Sequence, residues 1–161
     1  MRTLYETAFP PEERRPWSLQ EIYIREQVLH TLLLEFNQSF AGFAFFWALP
    51  GFSFIEHMAV SADLRGRGAG STILRYMEQR FENIVLEAEP ASKSADAARR
   101  IQFYQRLGYL PFADDYLQPS YHPAFPPQPM LLLYKQRSNL PSYEKVVSSI
   151  YQHVYQASFP L

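Results

Sequence analysis

Residues 63–77 read DLRGRGAGSTILRYM, a stretch that holds three of the chain's six glycines, two residues apart, interleaved with Arg65 and Arg67. Beyond the glycines, Ile73, Leu74, Met77 and Phe81 recur at helical spacing along one face, which predicts a helix starting near Ala69. Before them, FSFIEHMAV reads as a strand ending near Val60, joined to the glycines by a short SADLR link. A loop between strand and helix leaves the N–H groups of the loop and first helical turn unpaired and convergent. Such a place binds anions, above all phosphates, through the helix dipole and the clustered donors. Gly66, Gly68 and Gly70 tolerate positive φ and let a ligand approach, while Arg65 and Arg67 can add charge-assisted hydrogen bonds. The expected ligand is a phosphate or pyrophosphate.

Outward from this loop the chain alternates legibly. TLYETAF predicts a short helix stopped by Pro10 and Pro11, and WSLQEIYIREQ a second helix beginning near Ser18. VLHTLLLEF, FAGFAFFWAL and FSFIEHMAV, punctuated by NQS and PGF, predict a three-strand antiparallel meander. After the glycine helix come a strand, IVLEAE, and a helix, SADAARRIQFYQRLG, closed by Gly108. YLPFADDY and MLLLYK are predicted strands, separated by the proline-rich LQPSYHPAFPPQP, a stiff surface loop. SYEKVVSSIYQHVY predicts a terminal helix with Ser142 as N-cap and Val146, Val147, Ile150, Tyr151 and Val154 on one face. This order means a mixed α+β sheet.

Composition narrows the classes. The length of 161 residues with 47% apolar content predicts one domain with a single core. A net charge of −1 offers no electrostatic basis for nucleic acid or a membrane surface, so any anion must be caught locally. The absence of cysteine excludes disulfides and thiolate chemistry. His30, His122 and His153 are too scattered for a metal site, and no metal is expected. With no signal peptide and no apolar run of about 20 residues, the expected location is cytoplasmic.

Spacing selects among phosphate loops. No lysine follows the glycines, as a P-loop would need, and Ser71 breaks the G-x-G-x-x-G dinucleotide pattern. R-x-x-G-x-G, from Arg65 through Gly70, does fit, and FYQRLGY from Phe103 follows one helix and one strand later. In that order, after a strand ending MAV, these motifs resemble the GNAT superfamily of N-acetyltransferases over about residues 1–136. The resemblance implies a GNAT fold of class α+β (mixed α/β): a central, twisted, mostly antiparallel sheet flanked by helices. The usual first strand is apparently missing and a C-terminal helix is added. It divides the chain into a GNAT domain, residues 1–137, and a helical extension packed on it, residues 138–161.

The resemblance further implies acetyl-CoA as co-substrate. Met58, Ala59 and Val60 would pair with its pantetheine arm, and Arg65, Gly66, Arg67, Gly68, Ala69, Gly70 and Ser71 would hold its pyrophosphate. Transfer to an amine needs a base for the ammonium and an acid for the leaving thiolate, but no covalent nucleophile. The resemblance implies Tyr104 as the acid. Glu56 and Glu87 are the candidate bases, each a carboxylate in an otherwise apolar strand, with Glu56 preferred because its strand frames the thioester. An ion pair to Arg99 or Arg100 is the structural alternative for either carboxylate. Strand alternation puts Glu56 on one face with Phe54 and Met58, and His57 on the other, packed. PPEERRP reads as a solvated turn, and Tyr116, Tyr121 and His122 as facing the acceptor from a loop. The implied acceptor is a small-molecule amine or a peptide N-terminus, and a homodimer is possible. The alternative function is a catalytically silent acetyl-CoA-binding module.

Overall fold

The computed structural model describes residues 1–113 and 115–157. Two helices, α1 (Arg2–Ala8) and α2 (Trp17–Arg25), precede the meander β1 (His30–Phe36), β2 (Ser39–Leu49) and β3 (Phe52–Val60). Helix α3 (Ala69–Arg80), β4 (Asn83–Ala88) and α4 (Ala95–Arg106) follow. The chain then forms β5 (Leu110–Pro111), β6 (Tyr116–Gln118), β7 (Gln128–Gln136) and α5 (Tyr143–Ile150), which runs into a single π turn, Tyr151–Tyr155. The sheet order is β1-β2-β3-β4-β7-β5, and β6 also pairs with β7. Every pairing is antiparallel except β3 with β4, which α3 connects as a crossover. Among the described residues no strand precedes α1, so β1 is an edge paired only with β2.

Two apolar layers cover the sheet. One face packs Phe43, Phe45, Trp47 and Phe54 against Tyr5, Trp17 and the α5 residues Val146, Val147 and Ile150. The other packs Ile55, Leu86 and Leu133 against Leu74 and Met77 of α3 and Ile101 and Tyr104 of α4. The C-terminal helix is thus part of the main core, its buried residues being those of the predicted face, Tyr151 and Val154 included.

Several elements differ locally from expectation, each for a physical reason. The β2–β3 register runs Phe45↔His57 and then Phe46↔Ile55, so Glu56 is an extra, unpaired residue. This bulge reverses the alternation. Glu56 keeps the side of Phe54, His57 joins it there, and Met58 falls to the opposite layer with Ile55. Phe81 lies one residue past α3 in extended conformation, though its ring still packs on Phe46. YLPFADDY yields only the two paired residues of β5 and the start of β6, and its Asp114 lies outside the described residues. Leu117 and Gln118, placed in the proline-rich loop by composition, are strand residues because β7 extends back to Gln128 to pair with them. Ser142 occupies the N-cap position of α5 without a side-chain bond to the helix backbone. Of the predicted extension, residues 158–161 lie outside the described residues.

Gly108 closes α4 as expected. With φ +85°, it lets its own amide reach the Gln105 carbonyl and that of Tyr109 reach the Tyr104 carbonyl, a Schellman arrangement.

Because Ile150 is fully buried in the main core, Ile150→Ala is expected to cost about 2–5 kcal/mol. Urea unfolding followed by far-UV and near-UV signals together should show one shifted transition. A separate early transition would mean that α5 is a detachable appendage.

Candidate active site

Strands β3 and β4 pair only from Ser53↔Ile84 to Ile55↔Leu86. Beyond that point β3 continues to Val60 and β4 to Ala88 without pairing to each other, so a V opens between two parallel strands. Below Ile55 and Leu86 the V is ladder; above them the next residues are Glu56 and Glu87. A cleft of about 810 Å³ fills the opening, walled by Met58, Ala59 and Val60, by α4 at Phe103 and Tyr104, and by the start of α3.

The glycine loop lies at one end of this cleft. Gly66 and Gly68 have φ of +73° and +84°, with no atom within 4 Å of where a Cβ would stand, so glycine serves the backbone turn there. Gly70 has another reason: a Cβ would come within 3.3 Å of Phe103 Cζ, closer than ordinary van der Waals contact, so a side chain there would press on α4. The first helical amide with a backbone partner is Thr72, which donates to the Gly68 carbonyl at 3.0 Å. The amides of Ala69, Gly70 and Ser71 precede it at the helix start, where no intrahelical acceptor exists. Arg65, Gly66, Gly68, Ala69, Gly70 and Ser71 all line the cleft, whereas Arg67 does not. Arg65 Nε also donates to the Val60 carbonyl at 3.3 Å, tying the loop to the end of β3.

The two carboxylates experience opposite surroundings. The Glu56 side chain is fully enclosed and ion-paired with Arg15. It also accepts from Trp47 Nε1 at 2.8 Å and from the Tyr121 hydroxyl at 2.7 Å. Burial by itself would raise its carboxyl, but Arg15, helped by His57 and the two neutral donors, outweighs that and holds it below the usual range. Glu87 stays partly accessible on the cleft wall. It accepts from Tyr116 at 2.5 Å, from Gln118, and from Tyr155 at 2.8 Å, all neutral donors. Burial dominates there and pushes its carboxyl up to about 7.

Tyr104 also lines the cleft, its ring against Phe103 and Tyr109 with centroids 5.3 and 6.0 Å away, and burial raises its phenol. His57 is buried and neutral-leaning, since burial lowers its imidazole despite Glu56. Its Nε2 bonds the Glu13 carbonyl at 2.9 Å.

The partner of Glu56 is neither Arg99 nor Arg100, which pair with Asp96 and Glu89 on and beside α4. It is Arg15, from the stretch expected to be a solvated turn. Arg15 is 3% exposed, its guanidinium 4.9 Å from the Tyr121 ring centroid and bonded also to the Val154 carbonyl. Tyr121 turns its hydroxyl inward to Glu56, whereas His122 is exposed in a turn, with Nδ1 accepting from the Ala124 amide at 3.1 Å. Tyr155, Trp47, Gln118 and Arg15 escaped sequence reasoning because nothing local distinguishes them from packing residues. The only available signal was an arginine among prolines with no neighbouring reason to be there.

The model of the acetyltransferase (GNAT) family matches residues 1–109. The chain belongs to the GNAT acetyltransferase family. A GNAT-family protein of solved structure from Bacteroides thetaiotaomicron superimposes with a TM-score of 0.89 at 31% identity, over 98% of this chain and 91% of that one. The Bacillus subtilis (strain 168) protein YjbC, named for acetyltransferase activity, is 31% identical over 87 residues, 53% of this chain. That match spans only 40% of the length of YjbC. An aminoglycoside 6′-N-acetyltransferase solved with coenzyme A shares the fold at 14% identity, with a TM-score of 0.63 over 87% of this chain and 90% of that one.

Removing one partner of the buried Arg15–Glu56 pair leaves the other charge uncompensated. Arg15→Met is expected to cost about 3–5 kcal/mol, and Arg15→Met with Glu56→Gln to recover part of it. A double-mutant cycle in urea measures both; additive losses would deny the pair its coupling.

Proposed function

We propose that this protein transfers the acetyl group of acetyl-CoA to an amine by direct attack in a ternary complex. The observation that carries the reading is one cleft that holds the free amides of α3, the unpaired edge of β3, a half-buried glutamate with neutral partners and a tyrosine. The bound coenzyme A of the aminoglycoside acetyltransferase, which shares the fold, supports the choice of ligand. In this reading the amides of Ala69, Gly70 and Ser71, with those of Gly66 and Gly68, receive the pyrophosphate. The backbone of Met58, Ala59 and Val60 pairs with the pantetheine arm as a strand would, and its N–H groups polarise the thioester carbonyl.

Glu87 is the base, in preference to Glu56. A base needs access and a proton affinity near the working pH. Glu87 is a half-buried residue of the cleft wall with a carboxyl near 7, whereas the Glu56 side chain is enclosed and its charge is already committed to Arg15. The ammonium loses one proton to Glu87, and the neutral amine attacks the thioester carbon. The C–N bond forms, the C–S bond breaks, Tyr104 gives its phenolic proton to the leaving thiolate, and the second proton lost by the nitrogen restores the Tyr104 phenol through solvent. A cleft-wall carboxyl raised to about 7 favours this over a silent acetyl-CoA-binding module. The acceptor class is a small-molecule amine or a peptide N-terminus.

Calorimetric titration with acetyl-CoA, CoA, ATP and NAD is the first test. Selective binding of the CoA species, lost in Gly68→Trp, is expected; preference for ATP or NAD would overturn the reading. With an amine found by thiol release, the ascending limb of kcat/KM should lie near pH 7, because Glu87 must be ionised to accept a proton. Glu87→Gln should lower kcat by roughly 10²–10⁴-fold and abolish that limb. Tyr104→Phe with unchanged turnover would remove it from the role of acid.

A further inference from the structure

The two carboxylates are joined by a continuous line of hydroxyls. Tyr121 donates to Glu56 Oε1 at 2.7 Å, the hydroxyls of Tyr121 and Tyr155 are 3.0 Å apart, and Tyr155 reaches Glu87 Oε2 at 2.8 Å. That is three contacts. Each phenol carries one proton. When both carboxylates are ionised, Tyr121 gives its proton to Glu56 and Tyr155 gives its proton to Glu87. The 3.0 Å contact between the phenol oxygens then has no proton and opposes two lone pairs. One added proton changes this. Protonated Glu87 donates to Tyr155, Tyr155 turns its proton to Tyr121, and Tyr121 keeps donating to Glu56. All three contacts are filled with no phenol O–H bond broken.

Charge follows the same count. Arg15, Glu56 and Glu87 sum to −1 with both carboxylates ionised and to zero once a proton is taken up. The groups facing this line from the neighbouring elements are Trp47 of β2, Tyr116 and Gln118 of β6 and Tyr5 of α1, all uncharged donors, and His57 of β3, whose imidazole burial shifts toward the neutral form. His57 Nδ1 stands 3.9 Å from Glu56 Oε2 and accepts no hydrogen bond from a described side chain. Tyr151 of the π turn donates instead to the Leu117 carbonyl.

We propose that Tyr121 and Tyr155 are positioning residues that make the line from Glu56 to Glu87 one proton short at rest, so that it is completed by a proton arriving on Glu87. The C-terminal segment then belongs to the site itself, because its π turn sets Tyr155 in line and Arg15 clamps that turn through the Val154 carbonyl. The kinetic meaning rests on Glu87 being the base: R–NH3⁺ gives its proton to a Glu87 oxygen, one N–H bond breaking and one O–H bond forming. The hydrogen-bonded line itself does not depend on that reading.

The test is a pH titration of the glutamate carboxyl carbons by NMR on the whole chain labelled at Glu Cδ, which needs neither acetyl-CoA nor an amine. Tyr116→Phe removes a donor that stabilises ionised Glu87 outside the line, and should raise the Glu87 midpoint from about 7. Tyr121→Phe keeps the ring and removes a hydroxyl that bonds Glu56 and Tyr155, and should lower that midpoint by about half a unit to one unit, because protonated Glu87 loses the completed line. Through-space electrostatics predicts the opposite sign, since Tyr121 no longer screens Glu56. A Glu87 midpoint that rises or stays put in Tyr121→Phe overturns the proposal. Tyr155→Phe provides the second readout: the Glu56 signal, which should move at the Glu87 midpoint in the unaltered chain, should lose most of that response. Persistence of the response would assign the coupling to His57 or to simple proximity, and the line would have no role. Failure here with intact acetyl transfer leaves the proposed function standing, and a filled line in a protein that binds no acetyl-CoA would separate the two the other way.

Discussion

The carboxylate of Glu56 enters the main core on the side of Phe54, the β2–β3 bulge at that residue brings His57 in beside it, and once inside the charge must be neutralised. Arg15 does this, and much of the site's arrangement follows from that ion pair. The guanidinium draws the segment between α1 and α2 into the core, packs against Tyr23, Trp47 and Tyr121, and holds the π turn after α5. Five parts of the chain distant in sequence therefore meet at one charge. The same bulge turns Met58 to the opposite layer, next to the cleft.

A buried ion pair of this kind contributes little net stability, because desolvation offsets most of the attraction. Its effect is on position. Both glutamates line the cleft, but with the Glu56 side chain enclosed and its charge matched, Glu87 is the carboxylate left with neutral partners alone. The pair therefore splits two chemically identical groups into a fixed anion and a titratable acid. The parallel pairing of β3 and β4 adds the other half of the geometry, because ladder bonds end one residue before each glutamate and the separated edges stay open.

Much of the fold was legible in local pattern. The glycine spacing, the apolar face from Ile73 to Met77 and the closing glycine at position 108 each state a conformational requirement that only a few residue types satisfy. The loop's cleft residues were recoverable for that reason, except that Arg67 does not line the cleft and Gly70 is favoured by the close approach of Phe103 rather than by its own φ. Alternation held for Glu56 but failed for His57 and Met58 after it, since a bulge leaves no mark in a strand whose composition is apolar on both faces. The proline-rich segment hid β6 because Tyr116–Gln118 is a strand only by virtue of β7 beside it.

By itself the sequence determined most of the order of elements, the glycine loop and its position between a strand and a helix, because those depend on backbone conformation over a few residues. It also placed each of the two carboxylates in an apolar strand. Only the tertiary structure decided which carboxylate is enclosed, which faces the cleft, and that an arginine near residue 15 and a tyrosine near residue 155 meet between them. Electrostatic environment is a property of distance and burial, and neither is written along the chain.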